Sequence, residues 1–464
     1  MASPIPRFAV LRSNGDKYLR YVTEGRYRTY VKCDGNDVLD PLSKFRVERS
    51  SSNRDLVHIR CCYNNMYLGR IREGSVYVGA AIDAAEENRS KWSCTLFKPM
   101  LNDGLTYRFQ HVQSGNNLCQ LRTGGDDNNH CLVVRWSDLD KNGWDLFTFT
   151  DWESFVILPK HVAVKGDNGK YLFNARRNTH LQFGADDIGD HRVGEEIFTN
   201  SDGSIRVKNK VSGRFWRARP NVIYPESTDE SDSDPATSFW PVRIKGNAIA
   251  LRSKGNNRYL RRTNDRSTLD CLAAESWATT IDRQSYLVLE ELVNRRQIYD
   301  VNYRLEDARV YDQSLVTLAR SCVTNMGNEA ATLEVSMSYI QQRIYTVSTG
   351  TTSSSSVSIA MSMSIPSILD TGIATTETTA SDYEWGTTAE SSNTLTRRVP
   401  VTVNPMTKMT LTLVATLGFC DVPFSYIQQD TLINGQLENT KKHDGFFTGA
   451  NCFRFRTEAS SEPL

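Results

Sequence analysis

One phrase returns six times before residue 300, and it restricts the fold more tightly than anything else in the chain. It reads VLRSNGDKYLRY from Val10, HIRCCYNNMYLGR from His58 and FQHVQSGNNLCQLR from Phe109. It returns as VAVKGDNGKYLFN from Val162, IRVKNKVSGRFWRA from Ile205 and IALRSKGNNRYLRR from Ile249. Each copy is an alternating apolar strand, a turn rich in Gly and Asn, and a second strand opening on an aromatic residue or leucine. Such turn residues tolerate positive φ and the flanks alternate with period two, so each copy predicts a β-hairpin. A spacing of about 45–50 residues marks a repeat architecture, whose units bury their apolar faces only against one another.

Six copies close either one six-bladed propeller or two rings of three. WDLFTFTDWESFVILPK, Trp144 to Lys160, interrupts the series after the third copy and reads as a domain end and a bridge. That favours two three-fold barrels, or β-trefoils. The propeller remains the alternative, although the copies carry no Trp-Asp pair in blade-like register. A chain of 464 residues allows about three domains, so a further region follows the repeats.

Composition excludes several functions. Lys and Arg number 55 against 54 Asp and Glu, without a basic run, which argues against a nucleic-acid partner. The start, MASPIPRFAV, has no charged segment followed by an apolar run, and no stretch approaches the ~18 apolar residues of a spanning helix. The expectation is a chain soluble as made and cytoplasmic in the producing cell. The ten cysteines show no C-x-x-C pair or zinc spacing, so free thiols are expected and no metal. Without a phosphate loop after a strand, a nucleophile elbow or metal-ligand spacing, the chain reads as neither an enzyme nor a cofactor protein. PESTDESDSDP, Pro225 to Pro235, reads as a mobile acidic loop, and Arg258, Arg261 and Arg262 as a solvated strand face.

After about Ile298 the turn glycines thin out and the strands lengthen. From Ile344 to Thr396 there is no Lys or Arg, about half of the residues are Ser or Thr, and the ionisable groups are Asp370, Glu377, Asp382, Glu384 and Glu390. Within it Val357, Ile359, Met361, Met363 and Ile365 alternate with small residues, a strand with one apolar face. A disordered linker does not explain the alternation, and a half-buried surface strand does not explain the absence of cations. A strand that enters a bilayer explains both, because Lys or Arg on a lipid face costs ~2–4 kcal/mol at the midplane. Val357 to Ile365 is nine residues, near the ~9–11 that a transmembrane strand needs. Ile365 to Gly372 is then the tip, with Ile368 and Leu369 meeting the far leaflet first. The returning strand has Glu377 towards the lumen and the weakly apolar Ala374, Thr376, Thr378 and Ala380 towards lipid.

SNGDKYLRY, DPLSKFRVE, LVHIR and ENRSKWSCTLFKP in the first half of the repeats, and KGDNGKYL, HLQFGADD and GRFWR in the second, resemble the plant amaranthin-type agglutinins. The resemblance covers roughly residues 5–293. It implies two β-trefoils joined by a short helical linker at DWESFVILP. It further implies galactose and N-acetylgalactosamine disaccharides bound between the protomers of a head-to-tail homodimer. The family's sugar loop reads Asn-His-Tyr-Trp, and the matching positions here are Gly74, Ser75, Val76 and Tyr77, of which only Tyr77 offers an aromatic plane. In the second trefoil FGADD departs less, with Asp186 as an acceptor for sugar hydroxyls. IYDVNYRLEDARVYDQ, YEWG, VPVTVNPMTKMTLTLVAT and CDVPFSY resemble the aerolysin-type pore-forming modules fused to plant lectins. That implies a soluble monomer that binds a surface, assembles into a ring and releases one amphipathic hairpin per subunit into a shared barrel. The apolar face would then have no permanent protein partner.

The expectation is an all-β chain with trefoils over 1–150 and 161–296, a linker over 151–160 and an elongated aerolysin-like sheet domain over 297–464. Its function would be that of a lectin for galactosylated or N-acetylgalactosaminylated glycans, dimeric in solution, that targets a pore to membranes in plant defence. The alternatives are a storage or defence lectin, or a protein-binding trefoil protein, whose third domain only mediates oligomerisation.

Overall fold

The computed structural model describes residues 5–125, 127–174, 180–265, 268–277, 281–349, 357–361, 363–376 and 386–464. Among these residues the structure is β throughout, with helical geometry confined to three-residue 3-10 turns. The strands Phe8–Ser13, Phe45–Arg49, Val57–Cys61, Phe97–Leu101, Thr106–His111 and Phe147–Asp151 pair antiparallel in that order. The last returns to the first, Ser13 opposite Phe147, so the six strands form a closed barrel with no edge. Three hairpins, Tyr18–Tyr21 with Val31–Gly35, Tyr67–Arg70 with Val78–Ile82, and Asn117–Gln120 with Leu132–Trp136, cap one end. This is a β-trefoil. A second repeats it with barrel strands His161–Lys165, Glu195–Thr199, Ile205–Asn209, Phe239–Lys245, Ala248–Ser253 and Leu287–Glu291.

The repeated phrase is the step from a barrel strand into its cap hairpin. In all six lobes a residue with positive φ makes that turn: Asp16, Asn65, Gly115, Gly169, Gly213 and Asn257. Short polar side chains and glycine reach this left-handed region at least cost. Two residues later the backbone of one residue pairs back to the barrel strand, Tyr18 opposite Arg12 and Tyr67 opposite Arg60. A second local signal is an aspartate ahead of a 3-10 turn. Asp40, Asp151, Asp234 and Asp282 each accept a hydrogen bond from a backbone N–H of the turn they cap. Leu11, Phe45, Ile59, Phe97, Phe109 and Phe147 fill the first barrel, and Val164, Ile197, Trp216, Phe239, Leu251 and Leu289 the second.

The second barrel also buries a carboxyl. Glu195 accepts hydrogen bonds from Asn209 Nδ2 at 2.9 Å and Trp216 Nε1 at 2.9 Å. Burial outweighs both bonds and pushes it up to about 8. The folded state therefore holds this proton after the unfolded chain has released it. The resulting stabilisation is complete below the ordinary Glu range and is lost as pH rises through about 8. A fall of a few kcal/mol is expected across that window, read as the urea midpoint against pH. Glu195→Gln, less stable at every pH because its amide nitrogen faces a donor, is expected to lose the slope. Equal slopes in both proteins would assign it to other groups.

Contact density divides the chain into two units, residues 1–296 with 350–358 and 430–438, and residues 297–349, 359–429 and 439–464. In the first, Leu432 packs with Val293, and Ile433 N–H donates to Leu292 O at 3.1 Å. The acidic run is not loose there: Arg206 donates to the carbonyls of Asp229 and Glu230, and Asp234 pairs with Arg217 at 2.9 Å. Nor is Arg262 a solvated face, because Asp167 receives it at 2.6 and 2.9 Å.

The second unit is built on a seven-stranded sheet. Its long strands include Arg309–Asn325, Ala331–Ser348, Thr388–Val403, Thr407–Leu432 and Leu437–Pro463. Ile298, Val347, Val422, Phe424, Phe447 and Phe453 form one core cluster, and Val335, Met337, Leu411 and Leu413 another. Hydroxyls pair across neighbouring strands at Thr332–Thr402, Ser338–Thr396 and Thr346–Thr388. All ten cysteines are free thiols. No helix among the described residues is long and apolar enough to cross a membrane.

Candidate functional site

The loop expected to meet a sugar joins the two strands of the second cap hairpin in the first trefoil. Gly74 turns at its exposed tip with φ of +72°. Ser75 Oγ accepts from Tyr77 N–H at 3.1 Å and stiffens the descent from that tip. Val76 leans on Cys119, Leu121 and Val133, and its carbonyl accepts from Val134 N–H at 2.8 Å, so its side chain supports the loop from behind. Tyr77 is half-buried, and its hydroxyl accepts from Asn128 Nδ2 at 2.9 Å.

All three cap hairpins meet around Tyr77. Bridges join Tyr30 to Gly79, Lys32 to Cys131 and Tyr77 to Val133, one for each pair of hairpins. The Tyr30 ring lies 5.4 Å from that of Tyr77, and Tyr27 stands edge-on to Tyr30 at 5.1 Å. Lys32 Nζ sits 4.8 Å from the Tyr27 centroid. Burial, the largest influence, raises the Tyr30 phenol above its ordinary value. Only glycine fits at position 79, where a Cβ would lie 2.3 Å from the Thr29 carbonyl oxygen. The result is a cluster of aromatic planes rimmed by an amide and an ammonium, suited to the apolar face and hydroxyls of a pyranose. Sequence reasoning reached Tyr77 but missed Tyr27, Tyr30 and Asn128. Overlaying the return strands of the three copies, TYVKC, VYVGA and HCLVV, was the available signal.

Asp186 lies on the second trefoil, 79% exposed, where it forms an ion pair with Lys170, just ahead of the cap strand Tyr171–Asn174. Within this chain it is on a different cap from Tyr77. No group of three or more metal-ligating side chains gathers among the described residues.

The alternating stretch is folded otherwise than its pattern predicts. Instead of one strand from Val357 to Ile365 there are two, Ser358–Met361 and Ile365–Leu369. The second pairs antiparallel with Gly372–Thr376 as a separate two-stranded sheet, Leu369 opposite Gly372, turning at Asp370 and Thr371. Ile365, Pro366, Ser367 and Ile368 are all buried, so the alternation ends where the tip was expected to begin. Nor is the apolar face without a protein partner. Met361, Met363, Ile365 and Ile368 join the core of Phe424, Phe447 and Phe453, with Ile359 partly buried against it. Val357 packs elsewhere, on Val293 and Leu432. Leu369 is exposed at the turn, and Glu377 lies outside the described residues.

Polar contacts hold this hairpin in place. Asn451 accepts from Ile368 N–H through Oδ1 and donates to Ile368 O through Nδ2, both at 2.9 Å, imitating a neighbouring strand. Asp370 Oδ1 accepts from Arg454 N–H at 2.7 Å, and the Tyr303 hydroxyl donates to Ser364 O at 2.8 Å. Gly418 lets Ile368 approach, since a Cβ there would lie 2.9 Å from Phe453 and 3.3 Å from Ile368. Ser367 Oγ is buried without a hydrogen-bond partner.

The family described as the Agglutinin domain matches this chain twice, over residues 4–151 and 156–292. No match to a curated protein sequence was found. Among solved structures, the hemolytic lectin CEL-III is similar at 12% identity over 97% of this chain and 93% of its own, with a TM-score of 0.32. The lamprey immune protein is similar at 13% identity over 67% and 93%, with a TM-score of 0.31. An aerolysin-like protein of Bombina maxima is similar at 10% identity over 36% and 99%, with a TM-score of 0.25.

Proposed function

From a chain that belongs to the Agglutinin-domain family, we propose a carbohydrate-binding lectin that brings a membrane-inserting hairpin to glycan-bearing membranes. The observation that carries the second half is the setting of residues 365–376. They form a sheet of their own rather than a rung of the long-strand sheet, so they leave without breaking that ladder, and only Ser358–Met361, at the edge of that sheet, must unpair. It buries Ile365 and Ile368 together with an unpaired Ser367 hydroxyl. An unpaired buried hydroxyl costs about 1–3 kcal/mol and weakens the stowed state.

Galactose- and N-acetylgalactosamine-terminated glycans are the proposed ligands. Tyr77 supplies the stacking plane, Gly74 and Ser75 the rim with Val76 behind them, and Asp186 hydroxyl contacts on the second trefoil. Binding to a surface raises local concentration, which favours passage from a soluble dimer to a ring. Val357, Ile359, Met361, Met363, Ile365, Ile368 and Leu369 would then face lipid and Glu377 the lumen. Defence against feeding animals or pathogens fits such an agent.

Leakage from vesicles bearing a galactose-terminated glycolipid is expected at protein concentrations that leave plain vesicles intact. With Glu377 in the lumen, the reversal potential across a KCl gradient is expected to report cation preference. Met361 is part of the folded core, so a charge there disturbs more than insertion. Leu369, 41% exposed at the turn, is the cleaner site. Leu369→Asp is expected to keep its melting temperature and glycolipid binding while losing leakage. Wild-type binding without leakage would leave a lectin with no pore.

A further inference from the structure

The third lobe of the first trefoil breaks a rule that the other five lobes keep. Two residues after the positive-φ turn, the residue whose backbone pairs back to the barrel is Tyr18, Tyr67, Tyr171, Phe215 or Tyr259. In the third lobe it is Asn117, opposite Gln110. Beside Asn117 this lobe holds a cleft of about 340 Å³, near the lower end of the ~300–1,000 Å³ usual for ligand sites.

The cleft is lined by Asn117, Trp136, Asp138, Leu139, Asn142 and Asp145, among others. Two of these groups are buried acceptors with a vacant oxygen. Asn117 is 3% exposed, and its Nδ2 donates to Ser137 O at 3.0 Å, but its Oδ1 has no partner. Asp145 is 1% exposed, and its Oδ2 accepts from Arg108 Nε at 2.9 Å, but its Oδ1 has none. Buried acceptors are seldom left unpaired, and here two line one cleft. Beside them Trp136 is 44% exposed and Leu139 is exposed as well, with Arg135 lying 5.3 Å from the Trp136 ring centroid.

We infer that this cleft is a second saccharide site, which takes a single pyranose with hydroxyls donating to Asn117 Oδ1 and Asp145 Oδ1 and an apolar ring face against Trp136. A pyranose combines adjacent O–H donors with a C–H face, and Asp138, Asp140 and Asp145, against Lys141 as the single cation of the lining, disfavour an anion. The choice of a sugar rests on the lectin reading, but of the cleft's lining only Cys119 also packs behind the Tyr77 cap.

The test titrates methyl galactoside, methyl N-acetylgalactosaminide and methyl glucoside by saturation-transfer NMR. It uses wild type, Trp136→Ala, Tyr77→Ala and Asn117→Tyr, the last restoring the ring of the sister lobes. At least one pyranose is expected to bind wild type and Tyr77→Ala, to weaken about tenfold or more in Trp136→Ala, and to be excluded by Asn117→Tyr at unchanged melting temperature. Pyranose binding untouched by Trp136→Ala and Asn117→Tyr but lost in Tyr77→Ala overturns the cleft and keeps the lectin. No pyranose binding to folded wild type overturns the cleft, and glycolipid binding then decides whether the lectin reading falls too.

Discussion

Arg296→Met is expected to lower the stability of the first unit by about 3–5 kcal/mol, the usual penalty for leaving buried charges without their partner. The Arg296 side chain is only 6% exposed. Its Nε donates to Asp430 Oδ1 at 2.7 Å and its Nη2 to Asp430 Oδ2 at 2.9 Å, a bidentate fork, and Nη2 also reaches Glu291 Oε2 at 2.8 Å. Burial works against the guanidinium charge, yet the two carboxylates outweigh it and raise the pKa above its ordinary value. Methionine replaces the aliphatic volume and removes the charge, so the loss isolates the stranded carboxylates. Denaturant midpoints should show it, and Arg296→Met combined with Asp430→Asn and Glu291→Gln should recover part of it. A single-variant loss below about 1 kcal/mol would put this triad among ordinary surface pairs.

Asn451→Ala is expected to free the hairpin. One side chain satisfies both the N–H and the C=O of buried Ile368, and an unsatisfied buried group costs about 1–3 kcal/mol. Losing both raises the opening equilibrium by roughly a hundredfold or more, at tenfold per 1.4 kcal/mol. Hydrogen exchange at the Ile368 amide is the direct readout, with trefoil amides as the unchanged reference. Under the proposed function, leakage should also start sooner on glycolipid vesicles. An Ile368 amide equally protected in both proteins would mean that core packing alone retains the hairpin. Faster exchange without faster leakage would separate the latch from any pore.

Much of this was legible in the residues. The turns at Asp16, Asn65, Gly115, Gly169, Gly213 and Asn257 are local, since positive φ and the flanking alternation are written within a dozen residues. The barrels followed because six such hairpins bury their faces only together. The aromatic cap cluster was legible only in part: Tyr77 was found, but Tyr27, Tyr30, Lys32 and Asn128 arrive from other hairpins. The alternation from Val357 to Ile365 was real, but it was read as a single strand. Packing against Phe424 and Phe447 and the Tyr303 bond to Ser364 O accompany its division into two.

The sequence by itself determined the all-β class, the count and position of the hairpins and the placement of an apolar face in a cation-free stretch. These depend on φ preference, period and charge, which act over a few residues. Tertiary structure alone decided which aromatic rings meet at the cap, that Asn451 clasps Ile368, and that a cleft opens beside Asn117. Those depend on which distant strands pair and in what register, and chain closure sets that register across separations of dozens of residues.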